Sequence, residues 1–319
     1  MEDRLKVFAG SSATAFTAAV CQALEICPGK VERTKYYNDC TFVRIAENVR
    51  GCDVFVVQTA MPPVNDHLIE LLMLINALKG ASARRVTAVI PFYFYGQSDQ
   101  KDQGRIAITA RLVADLLEAA GVDRVLTMDL HAGQIQGFMR CPTDQLTALP
   151  LLARQFGREG GGTVVVAAAD TGRVKRVSEF ARRLGAALVI IDKERLDAEH
   201  VVARHLIGDP RGKHVVLFDD LIGLGGSMVE ACRLLLEHGA ASVAAAAVHG
   251  VLARDAVERL EKSSLLRVVL TDTLPAARAA GGGKIEVVSV APLFAEAIRR
   301  IHHDESVSAL FEQREESSV

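Results

Sequence analysis

Short apolar runs rich in Val, Ile, Leu and Ala recur along the chain, at residues 54–58, 86–91, 125–129, 163–168, 187–192, 215–220, 243–249 and 267–271. Their length and lack of polar alternation fit strands buried on both faces. The charged N-terminus, MEDRLKVFAG, also runs straight into a strand-like segment. Between these runs, residues 66–78, 106–120, 174–184 and 227–238 space their apolar side chains as amphipathic helices do. Strand, helix and strand in repetition predict an α/β chain with mainly parallel sheets flanked by helices. Several strands end in Asp, His or Gly, where an open parallel sheet places its ligand crevice.

At 319 residues the chain exceeds what one hydrophobic core usually serves, so two domains are expected. A helix-like segment restarts between positions 142 and 150, which sets the domains at 1–145 and 146–292, with a terminal helical segment, 293–311, folding back to join the first. The glycine run REGGG at 158–162 is read as a loop of the second domain, AAGGG at 279–283 as another interruption, and the final QREESSV as frayed.

Half the residues are apolar and 24% charged, the balance of a globular protein. With 37 basic and 39 acidic residues the net charge is −2, so no global field draws the chain to nucleic acid or an anionic membrane. An anion site must be local. Cys21, Cys27, Cys40, Cys52, Cys141 and Cys232 form no CxxC pair and read as reduced, mostly buried thiols. No run of about 18 apolar residues occurs, and the expected compartment is the cytoplasm.

The segment HVVLFDDLIGLGGSMVEACRLLLEHG, 214–239, carries the most chemistry. A strand ends in Asp219 and Asp220; a turn with Gly223, Leu224, Gly225 and Gly226 follows; a helix opens at Ser227 or Met228. Main-chain amides at a helix N-terminus bind phosphate, and glycines let the backbone approach it. Ser227 adds a hydroxyl, and the two carboxylates suit a sugar diol or a phosphate-bound Mg²⁺. The same residues also suit an ordinary βα turn, with Ser227 as a helix cap.

This arrangement resembles the ribose phosphate loop of the type I phosphoribosyltransferase fold. VFAGSS, AENVRGCDVFVVQT, NDHLIELLMLINALKGASARRVTAVIPF, ITARLVADLLEAAGVDRVLTMDLHAGQIQGF, VIIDKER and AEAIRRIHHDESVSALF narrow the resemblance to the ribose-phosphate diphosphokinase (phosphoribosyl diphosphate synthetase) family. The resemblance implies two tandem phosphoribosyltransferase-like domains, ATP and ribose 5-phosphate as substrates, and Mg²⁺ as cofactor. It implies that Asp219, Asp220 and Gly223, Leu224, Gly225, Gly226 and Ser227 hold ribose 5-phosphate, and that Asp170, Thr171 and Gly172 hold the diphosphate. His131 and Asp170 match the positions that hold Mg²⁺ and its nucleotide. Histidine is an unusual ligand for so hard a cation, so His131 acts through the nucleotide or a water. Lys193 and Arg195, flanking Glu194, match the cations of a catalytic loop that stabilises the transferring diphosphoryl group. Tyr37, Asn38 and Asp39 match a segment that reaches a neighbouring subunit's ATP, so dimers assembled into a hexamer are implied. Gln97, Ser98 and Asp99 fall in a nucleotide-contacting stretch.

Several positions depart from the family pattern. Its ribose loop reads like DDMIDTGGT, so Gly223 and Leu224 replace an acid and a threonine. Its YARQDRR appears as YGQSDQK, with Gln97 in place of an arginine. Thr41 replaces another acid, and the loop before Arg105 is about one residue shorter. A non-catalytic homologue that binds nucleotide or sugar phosphate and regulates an active partner is therefore the alternative to the enzyme. A phosphoribosyltransferase consuming the product needs only one such domain, so the double length argues against it.

Overall fold

The computed structural model describes residues 4–156, 163–169, 174–195 and 201–312. The chain divides into two compact units, one of residues 1–147, 273–275 and 290–319, the other of 148–272 and 276–289. The glycine run at 158–162 lies outside the described residues.

The first unit contains β1 (Leu5–Ala9), α1 (Thr14–Ala23), β2 (Val31–Lys35), β3 (Thr41–Ile45), β4 (Asp53–Val57), α2 (Val64–Gly80), β5 (Arg85–Ile90), α3 (Thr109–Ala120), β6 (Arg124–Met128) and β7 (Thr143–Leu146). Strands β1, β4, β5, β6 and β7 form a parallel sheet in that order, and β2 and β3 form a separate antiparallel hairpin. Every residue of β4 is buried, as expected of a strand covered on both faces. Its Val54 and Val56 pack with Leu71, Leu74 and Leu78 of α2 and with Val113 and Leu117 of α3.

The second unit contains α4 (Leu149–Ala153), β8 (Val164–Ala168), α5 (Val174–Leu184), β9 (Ala187–Arg195), β10 (Val201–Ile207), β11 (His214–Ile222), α6 (Gly226–Glu237), β12 (Ser242–Gly250), α7 (Ala256–Lys262), β13 (Val268–Thr271), α8 (Pro275–Ala280) and β14 (Ile285–Val288). The sheet order is β10-β9-β8-β11-β12-β13-β14, parallel except for β10. From β8 the chain builds outward to β9 and β10, then returns to lay β11 on the other side of β8. That reversal is a topological switch point, where loops leaving the carboxyl ends of adjacent strands diverge and open a crevice. On one face Leu217, Ala245 and Ala247 meet Met228, Ala231 and Leu235 of α6. On the other, Phe218 stacks on Phe180 of α5 with ring centroids 4.3 Å apart.

The eight apolar runs all become strands, and the four helical segments become α2, α3, α5 and α6. The boundaries differ for local reasons. Helix α3 starts at Thr109 rather than 106, because Ser98 caps it from outside: Thr109 N donates to Ser98 Oγ at 3.3 Å and Ala110 N to Ser98 O at 3.0 Å. Strand β11 continues two residues beyond Asp220, since Leu221 and Ile222 stay paired with β12 after β8 has ended. The thiols are less uniformly buried than expected. Cys21, Cys52 and Cys232 are inside, Cys141 is half-buried, and Cys27 and Cys40 sit exposed in loops.

After the second unit the chain returns to the first with α9 (Ala291–His302). Phe294 meets Phe16 of α1 edge-on at 5.4 Å. The deeper tie is polar. Asp53, 0% exposed, accepts Arg85 Nε at 2.8 Å and Nη2 at 2.6 Å, and His302 Nδ1 lies 2.9 Å from the same carboxylate. Arg85 Nη2 also donates to Ile301 O at 2.7 Å. A buried carboxylate is tolerated only when so satisfied, and removing it strands a cation and a helix end. Asp53→Ala is therefore expected to lower stability by about 3–5 kcal/mol, read from the urea midpoint at unchanged m-value.

Candidate active site

In the second unit, the switch point is occupied by the twin acids and the turn that follows them. Phe218 is the last residue of β11 paired with β8, opposite Ala168. Asp219 and Asp220 come next, where β11 has lost one neighbour and keeps the other. Asp219 is half-buried, Asp220 is buried, and Asp220 N donates to Asp219 Oδ1 at 2.8 Å. Gly223 follows the strand, Leu224 is exposed, and α6 begins at Gly226, one residue earlier than expected.

The turn is held from behind. Val251 N and Leu252 N both donate to Ile222 O, at 3.0 and 3.1 Å, and Ala253 N donates to Gly223 O at 3.0 Å. Gly225 takes φ +74°, the left-handed region, and a Cβ there would stand 3.3 Å from Leu260 of α7. The left-handed backbone favours glycine, and any side chain would also press on Leu260. Gly223, by contrast, has open space where a Cβ would lie and needs no such freedom.

In the first unit, the loops after β4, β5 and β6 are tied to one another at the carboxyl end of the sheet. Thr59 Oγ1 accepts from Phe92 N at 3.2 Å and donates to Thr273 O at 2.9 Å. Tyr95, at φ +55°, bonds its hydroxyl to Asn65 at the start of α2. Gln134 Nε2 donates to Asp99 Oδ2 at 2.8 Å. That bond joins the stretch holding Gln97, Ser98 and Asp99 to the loop holding His131, so these expected nucleotide residues share one end of one sheet. Gln97 is exposed, Asp99 and His131 are half-exposed, and the Ser98 hydroxyl is engaged at the start of α3.

Tyr37, Asn38 and Asp39 form the tip of the β2–β3 hairpin. Asn38 Oδ1 accepts from Cys40 N at 3.3 Å, Asp39 takes φ +64°, and the Tyr37 ring is fully exposed. Tyr36 offers a second ring, tilted against Phe42 with centroids 5.8 Å apart. Tyr36 directly follows β2 and donates its N–H to Cys40 O at 2.9 Å; its sequence signal is its place beside Tyr37. The hairpin is anchored to α2 by two cations on one face of β2. Arg33 Nε donates to Glu70 Oε1 at 2.6 Å, and Lys35 Nζ to Asp66 Oδ2 at 2.8 Å. Hydrogen bonds to Asp66 and then Asp39 raise the Lys35 pKa well above the lysine range. Glu70 is only 4% exposed and also accepts from Ser11 N at 3.0 Å and Gln58 Nε2 at 3.2 Å. The serines of VFAGSS thus serve the packing of β1, α1 and α2.

Asp170, Thr171 and Gly172 lie outside the described residues, just beyond β8, and the side chains of Lys193 and Arg195, on β9, lie outside them too. Among the described residues no group of three His, Cys, Asp or Glu side chains could hold a metal, and no helix is long and apolar enough to cross a membrane.

The sheets and loops are matched by known proteins over nearly the whole chain. The family described as the N-terminal domain of ribose phosphate pyrophosphokinase matches residues 5–121, and the phosphoribosyl synthetase-associated domain matches residues 203–312. A ribose-phosphate pyrophosphokinase of Rhodopirellula baltica is 45% identical over 313 residues, 97% of this chain and 99% of its own. That of Caldanaerobacter subterraneus is 47% identical over 308 residues, 96% and 98% of the two chains. The crystal structure of phosphoribosylpyrophosphate synthetase from Mycobacterium smegmatis matches with a TM-score of 0.90 and 39% identity, covering 95% of this chain and 100% of that one. The fold and its strand-end loops define the class, a phosphoribosyltransferase-like α/β protein. The chain belongs to the ribose-phosphate pyrophosphokinase family.

The two glycines of the turn give a direct check on its backbone. Gly225→Ala is expected to cost about 1–2 kcal/mol in urea denaturation, while Gly223→Ala should be close to neutral.

Proposed function

We propose that the chain catalyses the Mg²⁺-dependent transfer of the diphosphoryl group of ATP to the C1 hydroxyl of ribose 5-phosphate, giving phosphoribosyl diphosphate and AMP. One observation carries the reading: twin acids at a sheet's switch point lead into a left-handed glycine and a helix start, in a chain matched along its length by ribose-phosphate pyrophosphokinases.

The amides of residues 223–227, with the Ser227 hydroxyl, hold the 5-phosphate at the positive end of α6. Asp219 and Asp220 accept hydrogen bonds from the ribose 2- and 3-hydroxyls. Where Gly223 and Leu224 replace an acid and a threonine, the main chain does the holding. The C1 oxygen attacks the β-phosphorus as its hydroxyl gives up a proton to water; the bond from the β-phosphorus to the oxygen it shares with the α-phosphate breaks, and AMP leaves carrying that oxygen. Negative charge spreads over the non-bridging oxygens, where Lys193 and Arg195 stabilise it and residues 170–172 hold the diphosphate.

Mg²⁺ takes oxygen ligands and is usually held by one or two carboxylates with substrate phosphates and water, so the sparse donor set of Asp170, with His131 acting through nucleotide or water, fits it. When bound, the ion neutralises phosphate charge. Gln97, Ser98, Asp99 and His131 contact the nucleotide. Tyr37, Asn38 and Asp39 reach the ATP of a neighbouring copy in a hexamer, and the protein works in the cytoplasm.

A coupled assay for AMP release from ATP and ribose 5-phosphate, with Mg²⁺ and phosphate present, is expected to show turnover. Nucleotide binding without turnover would instead identify a regulator of an active partner. Lys193→Ala is expected to lower kcat roughly 10²–10³-fold with little change in either substrate's binding; equal losses in both would make Lys193 a ground-state anchor.

A further inference from the structure

The structure sets a cation of α7 against the phosphate turn. Three backbone bonds from residues 251–253 to Ile222 and Gly223 bring the start of α7 beside it. One turn into α7, Arg259 donates from Nη2 to Asp255 Oδ2 at 2.7 Å, an i,i+4 pair that engages one end of the guanidinium. Its other terminal nitrogen, Nη1, lies 3.2 Å from where a Cβ on Gly226 would stand. Glycine at 226, the first residue of α6, therefore gives the guanidinium head room beside that helix's N-terminal end. The side chain remains 41% exposed, so a solute can reach it.

This placement is electrostatically odd for an empty turn. The N-terminus of α6 carries partial positive charge, and basic side chains are favoured at the opposite end of a helix. Asp255 answers the guanidinium on one edge only. An anion seated on the turn would satisfy the other edge and the helix end together, by charge-assisted hydrogen bonds that suit a planar guanidinium and a phosphate.

We infer that Arg259 is a binding residue for the sugar's 5-phosphate, supplying from α7 a charged contact to a turn whose own positions 223 and 224 hold no charged side chain. The inference rests on the reading of that turn as the ribose 5-phosphate site. With Arg259 engaged, affinity follows the charge of the sugar phosphate and weakens with salt. Arg259→Gln keeps length and hydrogen-bonding capacity but removes the charge; Arg259→Lys keeps the charge but not the fork.

The test is calorimetric titration of the full chain with ribose 5-phosphate, for wild type, Arg259→Gln, Arg259→Lys and Asp219→Asn, each first shown to melt as wild type does. Arg259→Gln is expected to weaken binding about tenfold and flatten its salt dependence, with Arg259→Lys partly restoring both and the KM for ATP unchanged. Weakened binding in Asp219→Asn beside normal affinity and salt dependence in Arg259→Gln would overturn the role of Arg259 and leave the turn's assignment standing. Normal binding in both variants would overturn the assignment of the turn itself.

Discussion

The order of strands around β8 constrains everything that follows in the second unit. Because β9 and β11 are laid on opposite sides of β8, the strand order reverses there, and an open parallel sheet places its ligand crevice at such a point, outside the carboxyl ends of the strands. The acids stand at that place because β11 outlasts β8 while remaining hydrogen-bonded to β12, which keeps Asp219 and Asp220 on a rigid strand rather than on a loop.

The first unit meets a different requirement, that of holding several long loops in register at one end of a sheet with no reversal of order. It does so with side-chain bonds between loops, Thr59 to Phe92, Tyr95 to Asn65 and Gln134 to Asp99. Two of those residues, Tyr95 and Asp99, belong to the YGQSDQK stretch, so its polar composition serves the architecture of the loops as well as any ligand. The hairpin is fastened in the same manner through Arg33 and Lys35, to carboxylates one turn apart on α2.

The sheets were legible in the sequence because a parallel strand covered on both faces is mostly apolar, and β4, β5, β8 and β12 are buried along nearly all their length with few polar residues. The β2–β3 hairpin was not, since VERTK is exposed along most of its length and gives no apolar run. The short edge strand β7, TDQL, likewise carries little apolar signal. Glu70 reads as a solvated charge on an amphipathic helix, yet it is buried by three partners that come from distant segments. The glycine turn could be recognised locally, because its acids, glycines and helix start are contiguous. Arg259 could not: what matters is its nearness to Gly226, which is created by the packing of α7 and is invisible in linear order.

Asp53 has a consequence for how the polypeptide is completed. Its helical partner, α9, is separated from it by the whole second unit, so during synthesis residues 148–289 leave the ribosome before His302 does. Domains commonly fold as they emerge. The first sheet must wait, with a carboxylate in its interior lacking one of its two partners, while the inserted unit is finished. The last helix then acts as a latch, and any nascent chain released short of it leaves the earliest-made part of the molecule as the unfinished one.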